Sequence, residues 1–346
     1  MTSVSAWSAH PLAGFFIVIG AAALFGMLGP LSRFAYEAGM EPLPFVAWRG
    51  LIGALATAAF VAWRIRRGGP RLVRFGELAP RTRVMLGIAA VTGFTLNLGM
   101  FIAFDLITVA LALLGFYTYP AIVAVVAVAL GREHLDRPKV VALGLAMAGM
   151  VAVVAAQLDP AAGIAFSGLG FGLALGAALS QAVFVTISKD GYRAVPTDQA
   201  MLVILVGTVA LSTIAAVAGG GTSALLYPVA QPSILPLVLF TGLFAAAIPS
   251  LAFLTGIRWI GGMRAGILML FEPVVGVALA AWLLAERIHP VQVLGGMAIL
   301  AAAVILQRSS RADLAREAHG RPLDRPLDRA VPLEEEILTV RVPGGP

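Results

Sequence analysis

The residue whose surroundings are hardest to explain as surface is Glu272, in the stretch LMLFEPVVGVALAAWLL. It stands about eleven residues into an apolar run long enough to cross a bilayer, so at about 1.5 Å per residue it falls near the midplane. An ionisable side chain there costs a few kcal/mol and should face a partner or a cavity. Its neighbour Pro273 has no N–H, which leaves the carbonyl of Met269 without its helical donor. Carboxyl and orphan carbonyl together form a polar notch suited to binding an amine, carrying a proton, or both. The competing reading is a protonated glutamate hydrogen-bonded to a neighbouring helix.

The same pattern occurs 153 residues earlier. Pro273 falls on Pro120, Glu286 on Glu133, and Glu272 on Tyr119 within FYTYP, residues 116–120. Pro120 orphans the carbonyl of Phe116 in the same way. Tyr117 and Tyr119 lie too deep to be headgroup anchors, which favours a pocket lining over interfacial anchoring. Asn97, Ser180, Gln181 and Ser250 are further polar residues at mid-depth. Each alone is a weak sign of a ligand contact, because hydrogen bonds between helices also hold membrane bundles together.

Arg49 enters its apolar run about five residues from the end. It is expected at the periphery, snorkelling or paired with Glu37 or Glu41, with a gate as the alternative. A peripheral arginine leaves the cavity without a fixed cation, which argues against phosphorylated solutes. Glu133 and Glu286 close their helices at the C-terminus, where the helix dipole disfavours an anion. Flanking Arg132, Arg137 and Arg287 make them boundary anchors or gate latches.

The elements that must position these groups follow from composition. Of 346 residues, 60% are hydrophobic and only 12% charged, with mean hydropathy +0.93. That is about half the charge of a soluble domain. Runs of about 20 apolar residues recur throughout, and the ten-residue alternation of membrane strands is absent. The expected fold is an all-α polytopic membrane protein. Its spans are 12–31, 43–63, 84–104, 107–130, 140–158, 164–187, 199–218, 234–257, 262–284 and 291–307. Five spans per half invert the second half relative to the first, and prolines at corresponding places in both halves point to a transport site.

The domains read as a short N-terminal segment (1–11), two five-helix repeats (12–158 and 164–307) and a tail (308–346). The tail holds RPLD twice and three consecutive glutamates, and is expected to be disordered and solvated. An N-terminal signal peptide is disfavoured, because 12–31 lacks a basic leader. Arginines and lysines gather in the loops after spans 2, 4, 6 and 8 and after span 10, with few on the other side. By the positive-inside rule both termini are cytoplasmic.

No cysteine is present and the four histidines are scattered, so no metal or disulfide is expected. Net charge +6 reflects loop arginines rather than nucleic-acid binding. GLGFG on span 6 lacks a preceding soluble strand and a lysine. It reads as helix packing rather than a nucleotide loop, and leaves the oligomeric state open. No cofactor is expected, and no catalytic motif points to an enzyme.

With FYTYPAIVAVVAVALGREHL, LFEPVVGVALAAWLLAERI and AWRG (47–50) in place, residues 15–307 resemble the drug/metabolite transporter superfamily, EamA type. The resemblance implies an inner-membrane carrier, often an exporter of amino acids or related metabolites. It also implies a central cavity lined by spans 1, 3, 4, 6, 8 and 9. The partners would be a small solute, the bilayer, and protons as a candidate coupling ion. A nucleobase, sugar derivative or drug is the alternative cargo. An intramembrane enzyme or sensor would need a catalytic dyad or an appended domain, and neither is visible.

Overall fold

The computed structural model describes residues 11–131, 136–156, 167–219, 222–284 and 288–318. Ten helices are long and apolar enough to cross a membrane, and no strand occurs among the described residues. They correspond in order to the ten expected spans. We number them α1 (Leu12–Glu37), α2 (Pro42–Arg66), α3 (Pro80–Leu106), α4 (Val109–Ala129), α5 (Arg137–Ala155), α6 (Gly168–Ser188), α7 (Thr197–Ala218), α8 (Pro232–Ile260), α9 (Gly262–Leu284) and α10 (Pro290–Ala318). The last helix runs through Ala318, so the expected disordered tail does not begin at 308. The continuation RADLAREA is rich in strong helix formers, and the rest of the tail lies outside the described residues.

Neighbouring helices come in pairs that the repeat exchanges. α1 packs on α8 as α6 packs on α3, and α1 packs on α9 as α6 packs on α4. α5 and α10, last in each half, lie against each other. Their backbones meet at Gly149 and Gly295. A Cβ on either would come within 2.5 Å of the other's carbonyl oxygen. Moving Gly149 forward by 153 residues gives Ala302, and moving Gly295 back gives Ala142. Both alanines are fully buried, as a twofold relation between the halves requires. Small residues drive this pairing because lipid offers no hydrophobic gain, so close van der Waals approach must hold the helices.

Four helices are broken, and each break has a proline just beyond it. α4 is divided into α4a (Val109–Phe116) and α4b (Tyr119–Ala129), and α9 into α9a (Gly262–Met269) and α9b (Glu272–Leu284). These are the breaks expected at Pro120 and Pro273. The other two were not anticipated. α1 stops at Gly26 and resumes at Leu28, ahead of Pro30. α8 passes through a π-helical segment, Leu243–Ala247, before Pro249. Between α8 and α9 the chain turns at Gly261, whose φ of 88° would strain any side chain-bearing residue.

Candidate solute site at the helix breaks

The breaks of α4 and α9 lie together. The carboxyl of Glu272, first residue of α9b, is within hydrogen-bonding reach of the Tyr117 hydroxyl in the α4 break. Tyr119 is within electrostatic range of the same carboxyl. Both tyrosines are buried, and the Phe116 ring packs at 5.3 Å from one and 5.4 Å from the other. Glu272 itself is only half-buried. The repeat-mates Glu272 and Tyr119 therefore lie near each other, although Tyr117, two residues out of register, is the tyrosine within hydrogen-bonding reach of the carboxyl.

Span 1 closes over this point. A Cβ on Gly26 would stand 2.6 Å from the Glu272 carbonyl oxygen and 2.9 Å from Val275 Cβ. Only glycine lets α1 approach the start of α9b so closely.

Arg49 departs from expectation. It neither snorkels nor pairs with Glu37 or Glu41, both of which are exposed. It is 8% exposed and turned into the bundle. Its Nη1 donates to the Ala245 carbonyl at 3.1 Å and its Nη2 to Asn97 Oδ1 at 3.2 Å. Ala245 is four residues before Pro249, so the missing proline N–H is what leaves that carbonyl available. Asn97 is oriented in turn by its amide nitrogen, which donates to the Gly93 carbonyl at 2.7 Å. Glu272 and Tyr36 both lie within electrostatic range of Arg49. The interior thus does contain a fixed cation, and the argument from its absence fails.

The remaining candidates separate. Ser180 bonds Thr95 across the α3–α6 contact at 3.0 Å, a packing role. Gln181 and Ser250 are half-buried and enter neither the Glu272–Tyr117 nor the Arg49–Asn97 contact. Glu133 and Glu286 lie outside the described residues. Three participants escaped the sequence reading: Tyr36, Ala245 and Gly26. Pro249 and Pro30 were the available signals for the last two, by the same missing-donor argument applied to Pro120 and Pro273.

Packing around the site is asymmetric. On the arginine-rich face, α9a packs on α4b and on α6. Gly266 lies against Tyr119 and Pro120, and Gly262 against Val185 and Val123. Met263, Ile267, Leu268 and Leu270 are all buried there. The repeat-related halves on the opposite face, α4a and α9b, are not packed together in this way.

Loop contacts add to the packing on that face. Arg258, at the end of α8, donates to the carbonyls of Val195 (2.9 Å) and Tyr192 (3.2 Å) and to Thr197 Oγ1 (2.9 Å). Its guanidinium stands 5.3 Å from the Tyr192 ring centre. Burial pushes the Tyr192 phenol up to about 12, against the opposing pull of the Ser188 hydrogen bond and the Arg258 cation. Gln199 brackets the 2–3 loop, accepting from the Val73 N–H at 3.0 Å and donating to its carbonyl at 2.6 Å. Arg64 ion-pairs with Asp198 beside it.

A sequence profile of the EamA-like transporter family matches residues 12–155 and again 168–308, one match for each five-helix half. The chain belongs to that family. It is accordingly a multi-pass membrane transporter, and its ten-helix fold is the drug/metabolite transporter type. A solved crystal structure, titled only as that of a protein, is 19% identical with a TM-score of 0.67. It covers 86% of this chain and 98% of its own, a similarity that speaks to the fold alone. No curated protein sequence matches the chain closely. Among the described residues no group of three His, Asp or Glu side chains is placed to hold a metal.

Proposed function

We propose that this family member is a secondary carrier that exports a small amine-bearing metabolite, such as an amino acid, by alternating access around the midplane site. The observation that carries the reading is the meeting of Glu272 with Tyr117 at the corresponding breaks of the two repeats. Broken helices at matching places, with an acidic group between them, are the arrangement a carrier needs for a solute near the bilayer centre. The packing of α9a on α4b supports a state closed toward the arginine-rich face and accessible from the other. With that face cytoplasmic and the protein in the cell inner membrane, this is an outward-facing state. Return to the inward-facing state requires the apolar seal around Met263 and Ile267 to part while α4a and α9b close. Protons are the candidate coupling ion, carried by Glu272 in the absence of solute.

The test is counterflow into proteoliposomes preloaded with pooled amino acids, nucleobases and amine drugs, with and without a pH gradient. Wild-type protein is expected to exchange amino acids selectively. Glu272→Gln, folded and monodisperse, is expected to lose exchange at least about tenfold, since a charged hydrogen bond contributes about 1.5–3 kcal/mol, or to lose its response to the gradient. Full flux with unchanged pH dependence in that variant would remove Glu272 from the mechanism. Exchange confined to nucleobases or drugs would replace the solute class and keep the carrier.

A further inference from the structure

Arg49 is a buried guanidinium with no ion-pair partner among the described residues. Its two bonded acceptors, the Ala245 carbonyl and the Asn97 amide oxygen, are both neutral. Its Nε is buried and has no acceptor. A guanidinium carries five N–H donors, so most of the fork is unspent. A buried charge left without a counter-charge or full hydrogen bonding is strongly unfavourable, and membrane interiors make the penalty larger. The two neutral acceptors orient the group but do not neutralise it. Asn97 is held for that task by Gly93, and Ala245 is made available by Pro249.

We infer that Arg49 is the carboxylate subsite of the solute site, so that the cargo is a zwitterion with its carboxylate on Arg49 and its amine toward Glu272. This rests on the carrier reading above and narrows its solute class. Guanidinium is suited to the task because its planar fork matches a carboxylate bidentately. The two charged residues are within electrostatic range yet do not form an ion pair with each other. A solute bearing both charges satisfies each in place. With Glu272 ionised as it takes the amine, Arg49 and Glu272 together carry no net charge, which fits a zwitterion and disfavours a phosphate dianion. A decarboxylated amine would leave Arg49 unpaired, and an amine-free acid would leave Glu272 unpaired.

The experiment measures inhibition of counterflow by matched sets: phenylalanine, phenethylamine, 3-phenylpropionate and phenyl phosphate, with leucine and isopentylamine as a second series. Wild-type protein is expected to prefer the zwitterion over its decarboxylated amine by about tenfold to a hundredfold, the effect of one charge-assisted hydrogen bond left unmade. Arg49→Gln is expected to remove that preference by weakening the zwitterion to the level of its amine. Arg49→Lys, which keeps charge but not the fork, is expected to restore part of it. Should Arg49→Gln fail to fold, wild-type selectivity and Arg49→Lys still decide the matter. Equal or better inhibition by the amine in wild type would overturn the subsite and leave the carrier standing. So would a zwitterion preference that survives in Arg49→Gln, or inhibition by phenyl phosphate alone. Folded wild-type protein that exchanges none of the pooled solutes would overturn the carrier reading itself, and the subsite with it.

Discussion

Replacing Gly26 with alanine tests whether α1 is fitted against the broken start of α9b. The added methyl would lie 2.6 Å from the Glu272 carbonyl oxygen, 2.9 Å from Val275 Cβ and 3.1 Å from the Gly276 nitrogen. Two of these three are backbone atoms, which cannot swing aside. Reaching an ordinary contact of 3.4 Å requires about 0.8 Å of separation between the helices, the difference between 3.4 and 2.6 Å. Overpacking of this kind costs about 1–3 kcal/mol, partly offset by the roughly 0.5–1 kcal/mol alanine gains over glycine in a helix. A net loss of about 0.5–2 kcal/mol follows. The shift is also large on the scale of a hydrogen bond, whose useful range of donor–acceptor distance spans only about 0.5 Å. Moving α9b by that amount is expected to weaken the contact of Glu272 with Tyr117.

The assay pairs thermal unfolding in detergent with initial counterflow rates in liposomes. Gly20→Ala is the internal control, because a Cβ there meets nothing within 4 Å. The expected result is a lowered melting temperature and about tenfold slower exchange for Gly26→Ala, a misplacement effect of the size that such shifts produce at reacting sites. Gly20→Ala should melt at or slightly above wild type with full exchange. Gly26→Ala behaving like Gly20→Ala in both measurements would refute the packing of span 1 on the α9 break.

Three further outcomes follow from the same geometry. Gly295→Ala drives a methyl to 2.5 Å from the Gly149 carbonyl oxygen, so the α5–α10 pair should loosen by about 1–3 kcal/mol; Gly144→Ala, facing open space, should melt like wild type. Gln199→Ala removes both bonds to Val73, and trypsin should then cut the 2–3 loop at exposed Arg71 and Arg74 several times faster, with a transport change only if that loop helps close its face. Since the chain has no cysteine, single cysteines placed at exposed Arg71 and Ala38 can report topology. In intact cells an impermeant maleimide should label the Ala38 position and spare the Arg71 position, and the reverse would invert the assigned orientation.

What the amino-acid sequence determined by itself was whatever depends on one segment and the bilayer. Ten apolar runs must become helices, because only internal hydrogen bonding satisfies a backbone in lipid. Pro120 and Pro273 must break theirs, because each withholds one N–H from a carbonyl four residues earlier. The 153-residue offset made the two breaks counterparts. Glu272 could be singled out on cost alone. The tertiary structure decided which groups meet. Arg49, Asn97 and Ala245 lie on three helices, 48 and 196 residues from Arg49 along the chain. Helical periodicity assigns each to a face of its own helix but leaves open how that helix is rotated in the bundle. That rotation is set by close approaches such as Gly26 on Glu272 and Gly149 on Gly295, which appear only once the helices are packed. For this reason Arg49 could be read at the surface from its distance to the helix end, while the packed bundle turns it inward to a carbonyl that Pro249 had left unpaired.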